Sequence, residues 1–138
     1  MDSATFAKLK ELAIQMKDRA HCPYSKFRVG CALLTKSGEI FTGCNVENAA
    51  FGECICGERT AVVKAVSEGH KEFLACVVSV DVDMVKGPCG SCRQVFREFC
   101  GPEFEFVSLT CDGVENRFLL KDLLPHSFGP EFLEKLNK

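Results

Sequence analysis

Apolar residues fall at Phe6, Leu9, Leu12, Ala13 and Met16, three or four apart, which predicts an amphipathic helix over residues 5–16. The period then changes. Residues 21–25 contain a proline and break the stripe, and residues 27–34 and 40–46 read as two strands. Lys36, Ser37 and Gly38 between them are turn formers, so the pair reads as a hairpin. Residues 48–54 are irregular and rich in small side chains. A helical pattern follows over 56–67, with Gly69 as its stop. Residues 74–82 are almost continuously apolar, as a strand covered on both faces would be. Beyond Gly87 and Pro88 the pattern predicts a helix over about 91–99, then strands over 104–111 and 116–120. Leu123 and Leu124 lead into Pro125, and residues 130–136 read as a last helical turn or two. Strands alternating with helices beyond residue 50 predict an α/β fold, a mixed sheet with helices packed on it.

Length changes this picture only by bounding it: 138 residues predict a single domain over 1–138. A composition of 46% hydrophobic and 26% charged residues excludes disorder. The net charge is −2 and the pI about 5.9, so the basic excess of a protein that grips phosphate backbones is missing. No nucleic-acid polymer is expected as a partner. No apolar run approaches the roughly 18 residues of a membrane span, so no membrane partner is expected either. The first ten residues lack the apolar core of a secretory leader, and the expected compartment is the cytoplasm, with the nucleus also open.

Cysteine is the anomaly, at ten residues. In a chain expected to stay in a reducing compartment, thiols or metal ligands are favoured over a disulfide scaffold. Two clusters stand out, Cys56-Gly57-Glu58-Arg59 and Pro88-Cys89-Gly90-Ser91-Cys92-Arg93, each where a loop enters a predicted helix. Unpaired N–H groups and partial positive charge at a helix N-terminus favour thiolates. Three thiolates from two such ends would hold one zinc ion and leave a fourth position for water. A closed structural site of Cys54, Cys56, Cys89 and Cys92 is the alternative. Cys22, Cys31, Cys44, Cys76, Cys100 and Cys111 read as small core residues, and His21, His70 and His126 as surface or packing residues.

Three thiolates exceed the charge of one zinc ion, so a compensating cation is needed. Arg59, three residues after Cys56 on one helical face, is the candidate donor to thiolate sulfur. Glu58 shares a site with Cys56 only if that site caps the helix end, because two residues turn about 200° around a helix. A carboxylate so placed could move a proton for zinc-bound water. Otherwise it simply complements the helix dipole.

These motifs resemble the zinc cytidine deaminases of the short, homo-oligomeric type, a group with a three-Cys or His/Cys/Cys zinc and a non-ligand Glu. The resemblance runs from about Pro23 to Leu133. It covers Pro-Tyr-Ser-Lys-Phe-Arg-Val-Gly at 23–30, Asn-Val-Glu-Asn-Ala at 45–49 and Cys-Gly-Glu-Arg-Thr-Ala at 56–61. Pro-Cys-Gly-Ser-Cys-Arg-Gln at 88–94 and Leu-Leu-Pro-His-Ser-Phe-Gly-Pro at 123–130 complete it.

The resemblance implies a three-layer α/β/α sandwich around a five-stranded mixed sheet. It implies one zinc per chain on Cys56, Cys89 and Cys92, with Glu58 carrying a proton from zinc-bound water to N3 and then to the departing amine. Asn45 and Glu47 match positions that hold the ribose, and at i and i+2 of a strand end they point the same way. Phe27 matches a ring lining the base pocket, and the backbone of Gly57, where the family commonly has Ala, would meet the pyrimidine. Phe51 stands where Tyr is common. Phe128 matches a ring that reaches from one chain into a neighbour's pocket within a homotetramer.

The implied activity is hydrolytic deamination of cytidine and deoxycytidine to uridine and deoxyuridine, with release of ammonia, in pyrimidine salvage. The rivals are the same chemistry on a nucleotide, a free base or a base in a polynucleotide, and a structural zinc module.

Overall fold

The computed structural model describes residues 1–84 and 87–136. Helix α1, Ser3–Met16, is capped by Asp2, whose side chain accepts the Thr5 N–H at 2.7 Å. Its apolar stripe buries Phe6, Leu9 and Ala13, as the spacing predicts. After a single 3₁₀ turn at Lys17–Arg19 come β1, Val29–Thr35, and β2, Ile40–Cys44. A second 3₁₀ turn, Phe51–Glu53, precedes α2, Gly57–Ser67, and β3, Phe73–Val80. Then follow α3, Gly90–Phe99, β4, Glu105–Leu109, β5, Glu115–Leu119, α4, Leu120–Leu123, and α5, Pro130–Leu136.

The five strands form one sheet in the order β2-β1-β3-β4-β5. All neighbours pair antiparallel except β3 and β4, which are parallel and are joined through α3. The sheet is therefore mixed, as expected. Alternation along the strands divides the core. Ala32, Leu34, Ala75, Val77, Val107 and Leu109 face α1, while Cys31, Leu33, Cys76, Val78 and Phe106 face α2 and α3. Helices thus cover both faces, giving the three layers.

Several predicted ends shift, each for a local reason. β1 begins at Val29 rather than Phe27 because Lys26 adopts a left-handed φ of 59° and the Asn45 side chain, instead of a strand, bonds this backbone. β2 stops at Cys44, the partner of Gly30, although the chain stays extended to Val46, which bridges His21 and Ile55. β3 ends at Val80, where Asp81 turns outward to Lys17 and Arg28. β4 ends at Leu109, and a turn through Gly113 (φ 84°) leads into β5. That turn holds Cys111, which is exposed, and Cys22 is only half-buried, so neither is the core residue it resembled in sequence. The other four, Cys31, Cys44, Cys76 and Cys100, are buried. Helix α4 has no counterpart in the sequence pattern: four residues are too few for a period, yet it buries Leu120 and Leu123.

One glycine brings the functional helix onto the sheet. A Cβ on Gly43 would stand 2.4 Å from the Gly57 carbonyl oxygen and 2.6 Å from the Ala61 nitrogen. Only a residue without Cβ lets α2 lie this close to β2.

Candidate metal centre and active site

Cys56 is the N-cap of α2 and Cys89 the N-cap of α3. Their Sγ atoms lie 3.7 Å apart, and with Cys92 Sγ all three lie within 4.8 Å of one another. Zn–S bonds of about 2.3 Å in a tetrahedron place sulfurs about 3.8 Å apart, so the pair already has the spacing of two zinc ligands. Among the described residues this trio is the group of three or more His, Cys, Asp or Glu side chains placed to hold a metal ion. Soft sulfur donors, three in number, fit zinc with one coordination position left over. Cys54 is turned away from it. Its sulfur accepts the Asn48 N–H at 3.3 Å and faces the Asn48 carbonyl at 3.7 Å, which argues against a closed four-cysteine site.

Charge around the trio is arranged as its chemistry requires. Arg59 donates Nη2 to Cys56 Sγ at 3.7 Å and to the Cys54 carbonyl at 3.3 Å. The Cys92 N–H points at Cys89 Sγ, 3.5 Å away. The Cys92 thiol beside it, helped by Arg59 and Cys89, draws Cys56 down to about 5 against the withdrawal from water. Cys92 is pushed the other way by the same contact with Cys56 and by burial.

Glu58 is the second residue of α2 and is 7% exposed. Burial, and then the charge on Cys56, raises its pKa above the usual carboxylate range. Cys56 and Glu58 do meet in one place, because that place caps the helix.

That place is a cavity of about 590 Å³, within the range of small-molecule sites. Its lining includes Phe27, Asn45, Glu47, Gly57, Glu58 and Cys89. Asn45 is a splint between β2 and the lead into β1: Nδ2 donates to the Phe27 carbonyl at 2.7 Å and Oδ1 accepts the Val29 N–H at 2.9 Å. Glu47 Oε1 accepts the N–H groups of Tyr24 and Ser25, each at 3.1 Å, and the Ser25 hydroxyl together with these N–H groups holds the Glu47 pKa low. Both polar side chains therefore shape the loop that presents Phe27. The carboxylate of Glu47 lines the cavity beside these contacts.

Phe128 lies elsewhere. It is 56% exposed, stacks on Phe132 with centroids 5.4 Å apart, and lines no part of this chain's own cavity. Phe51, 73% exposed, meets Tyr24 edge-on at 5.9 Å near the cavity mouth. His21 and His126 are exposed and His70 pairs with Glu39, so no histidine joins the trio. Two residues outside the predicted site set also matter: Ser25, whose hydroxyl accepts the Phe27 N–H at 3.0 Å, and Arg97, which holds the Phe128 segment. Ser25 lies inside the 23–30 motif, but nothing in that motif marks its hydroxyl, and Arg97 lies outside every motif.

A sheet that leaves two helix N-termini side by side, with thiols on both and a buried carboxylate between them, defines the nucleobase-deaminase class of zinc protein. Residues 4–108 match the family model for the cytidine and deoxycytidylate deaminase zinc-binding region, and the chain belongs to that family. It is 46% identical over 134 residues to a probable cytidine deaminase of Dictyostelium discoideum, covering 96% of this chain and 90% of the relative. It is 41% identical over 119 residues to a cytidine deaminase of Halalkalibacterium halodurans, covering 86% and 90%. The crystal structure of cytidine deaminase from Burkholderia pseudomallei superposes with a TM-score of 0.85 at 40% identity, covering 93% of this chain and all of that one.

Proposed function

We propose that this chain catalyses hydrolytic deamination of cytidine and deoxycytidine, taking up water and releasing ammonia to give uridine and deoxyuridine. The observation that carries the reading is the buried Glu58 carboxyl beside the three-thiol cluster at the base of a nucleoside-sized cavity. The zinc that Cys56, Cys89 and Cys92 would hold supplies the Lewis acidity that makes hydroxide available near neutral pH.

The chain's residues do the rest. Glu58 takes one proton of the attacking water and delivers it to N3 as C4 becomes tetrahedral, then carries the remaining proton from the C4 hydroxyl to the amine as the C4–N4 bond breaks and the C4 carbonyl forms. Burial suits it to this task, since a carboxyl with a raised pKa both accepts and gives up a proton readily. Arg59 offsets thiolate charge. Phe27 lines the base, the Gly57 backbone faces the ring edge, and Asn45 and Glu47 hold the ribose with the hydrogen-bonding capacity their loop contacts leave free. The negative charge of Glu47, and the lack of a basic cluster among the described residues of the cavity lining, disfavour phosphate. This favours nucleoside over nucleotide or polynucleotide.

The whole chain acts as one catalytic domain in pyrimidine salvage in the cytoplasm, as a homotetramer. Phe128, exposed and outside its own cavity, enters that of a neighbouring copy and stacks on the base. No helix of the described residues is long and apolar enough to cross a membrane.

The test is a spectrophotometric assay with ammonia measured alongside, comparing cytidine, deoxycytidine, cytidine monophosphate and single-stranded DNA. Cytidine is turned over, the nucleotide poorly and DNA not at all. Comparable kcat/KM for nucleoside and nucleotide refutes the assigned substrate class. Mixing Glu58→Gln with Phe128→Ala chains tests the shared site. Recovered activity above the sum of the two parents supports it, and none in verified mixed oligomers refutes it.

A further inference from the structure

Helix α3 starts at the thiol cluster, and its outward face grips the segment that carries Phe128. Arg93 donates Nη1 to the Leu123 carbonyl at 2.8 Å, and Gln94 donates Nε2 to the Phe128 carbonyl at 2.9 Å. One turn after Arg93, Arg97 donates Nε to the Ser127 hydroxyl at 2.7 Å and Nη2 to the Glu131 carboxylate. Gly129 lies against the same guanidinium. A Cβ there would stand 2.3 Å from Arg97 Cζ and 2.4 and 2.5 Å from its terminal nitrogens.

The segment thus closes around one side chain, with Ser127 before Phe128, Glu131 after it and Gly129 against the guanidinium. Arg97 is 21% exposed while the Phe128 ring is 56% exposed. No strand pairing fixes residues 124–129, which lie between α4 and α5. The course of the backbone on either side of the ring is therefore set by the grip of α3, of which Arg97 holds the most points, and the ring so presented stacks on Phe132.

We infer that Arg97 is a positioning residue for the reaction: it holds Phe128 in the one direction that lets the ring enter a neighbouring copy's cavity already ordered. The inference rests on the reading that Phe128 serves a neighbour. A ring released from the clamp must be ordered when substrate binds, and that ordering weakens binding. Interactions shared by ground and transition states appear in KM rather than kcat.

Arg97→Gln and Gly129→Ala test this, each made alone and in a Phe128→Ala background. Gly129→Ala is the gentler variant, because it displaces only the end of a flexible side chain and keeps every charge. Each clamp variant alone should raise KM for cytidine about 10-fold, with kcat within about 2-fold of wild type. In the Phe128→Ala background that rise should disappear, while any lowering of Tm by the clamp variants persists.

An impaired Phe128→Ala enzyme whose clamp variants keep a wild-type KM overturns the inference alone. So does a KM rise that persists undiminished without the ring, or a loss of assembly in the clamp variants. Wild-type kcat/KM in Phe128→Ala itself overturns the reading of Phe128, and the inference with it.

Discussion

Glu58→Gln isolates proton transfer from everything else the residue does. Gln has the same size, so the 7% exposed side chain still fills its place at the second position of α2. It is uncharged, so it removes the cost of holding a carboxylate away from water beside the Cys56 thiolate, and the fold should lose no stability. What it cannot do is take up a proton and return it. A positioned general acid/base contributes typically 10² to 10⁴ in rate, which corresponds to about 2.7 to 5.5 kcal/mol of barrier. The expected variant therefore binds zinc at one ion per chain, melts no lower than wild type and turns over at least about 10²-fold slower. Metal analysis, thermal melting and single-substrate kinetics read the three quantities separately. Turnover within a few-fold of wild type would remove Glu58 from the chemistry. Loss of zinc would make it a ligand and refute the three-thiol assignment.

Cys89→Ala should strip zinc and activity, while Cys54→Ala keeps the metal, because Cys54 is bonded into its own loop; metal loss in both would restore the four-cysteine site. Gly43→Ala should cost about 1–3 kcal/mol of stability through overpacking, and should also lower kcat/KM, because the forced shift falls on Gly57 beside Glu58. Unchanged melting would mean that α2 does not depend on this approach. Asp81 has its pKa lowered by Arg28 and Lys17, so its stabilisation is present above its unfolded pKa of about 4 and is lost as pH falls through the folded value. Asp81→Asn should lower Tm modestly at pH 7, since Asp81 and Arg28 are partly solvated, and should flatten the fall of Tm below about pH 4. Parallel acid profiles for the two proteins would contradict this.

What the sequence made legible was whatever has a period or a motif. The α1 stripe, the hairpin, the buried central strand and the two Cys-bearing helix starts all carry their signal within a few residues. The ends moved where a side chain replaced a strand. Asn45 bonds the backbone of Phe27 and Val29 from sixteen or more residues away, and no local pattern announces such a splint. Cys111 read as core because it closes the strand predicted over 104–111, yet the turn through Gly113 lifts it out. In sequence Cys54 stood outside the favoured three-thiol set, with a closed four-cysteine site as the alternative. Two sulfur contacts to Asn48 set it apart from Cys56, and they depend on the course of the 48–54 loop, which no local pattern announces.

The site itself follows from the position of two helix ends more than from any single residue. Three thiolates and one zinc ion leave a charge of about −1, which would blunt the metal's hold on its water. Arg59 removes that unit through Cys56 Sγ. The N-termini of α2 and α3 then add partial positive charge of roughly +0.5 each at the same spot. That remainder matches one further negative charge, either hydroxide or the Glu58 carboxylate, but not both at once. On the proposed mechanism, one proton carried by Glu58 would keep that count constant. Gly43 is what allows the α2 terminus to arrive there, since it admits the helix to within contact of β2. A residue with no functional group thus governs the electrostatics of the site as directly as those that carry charge.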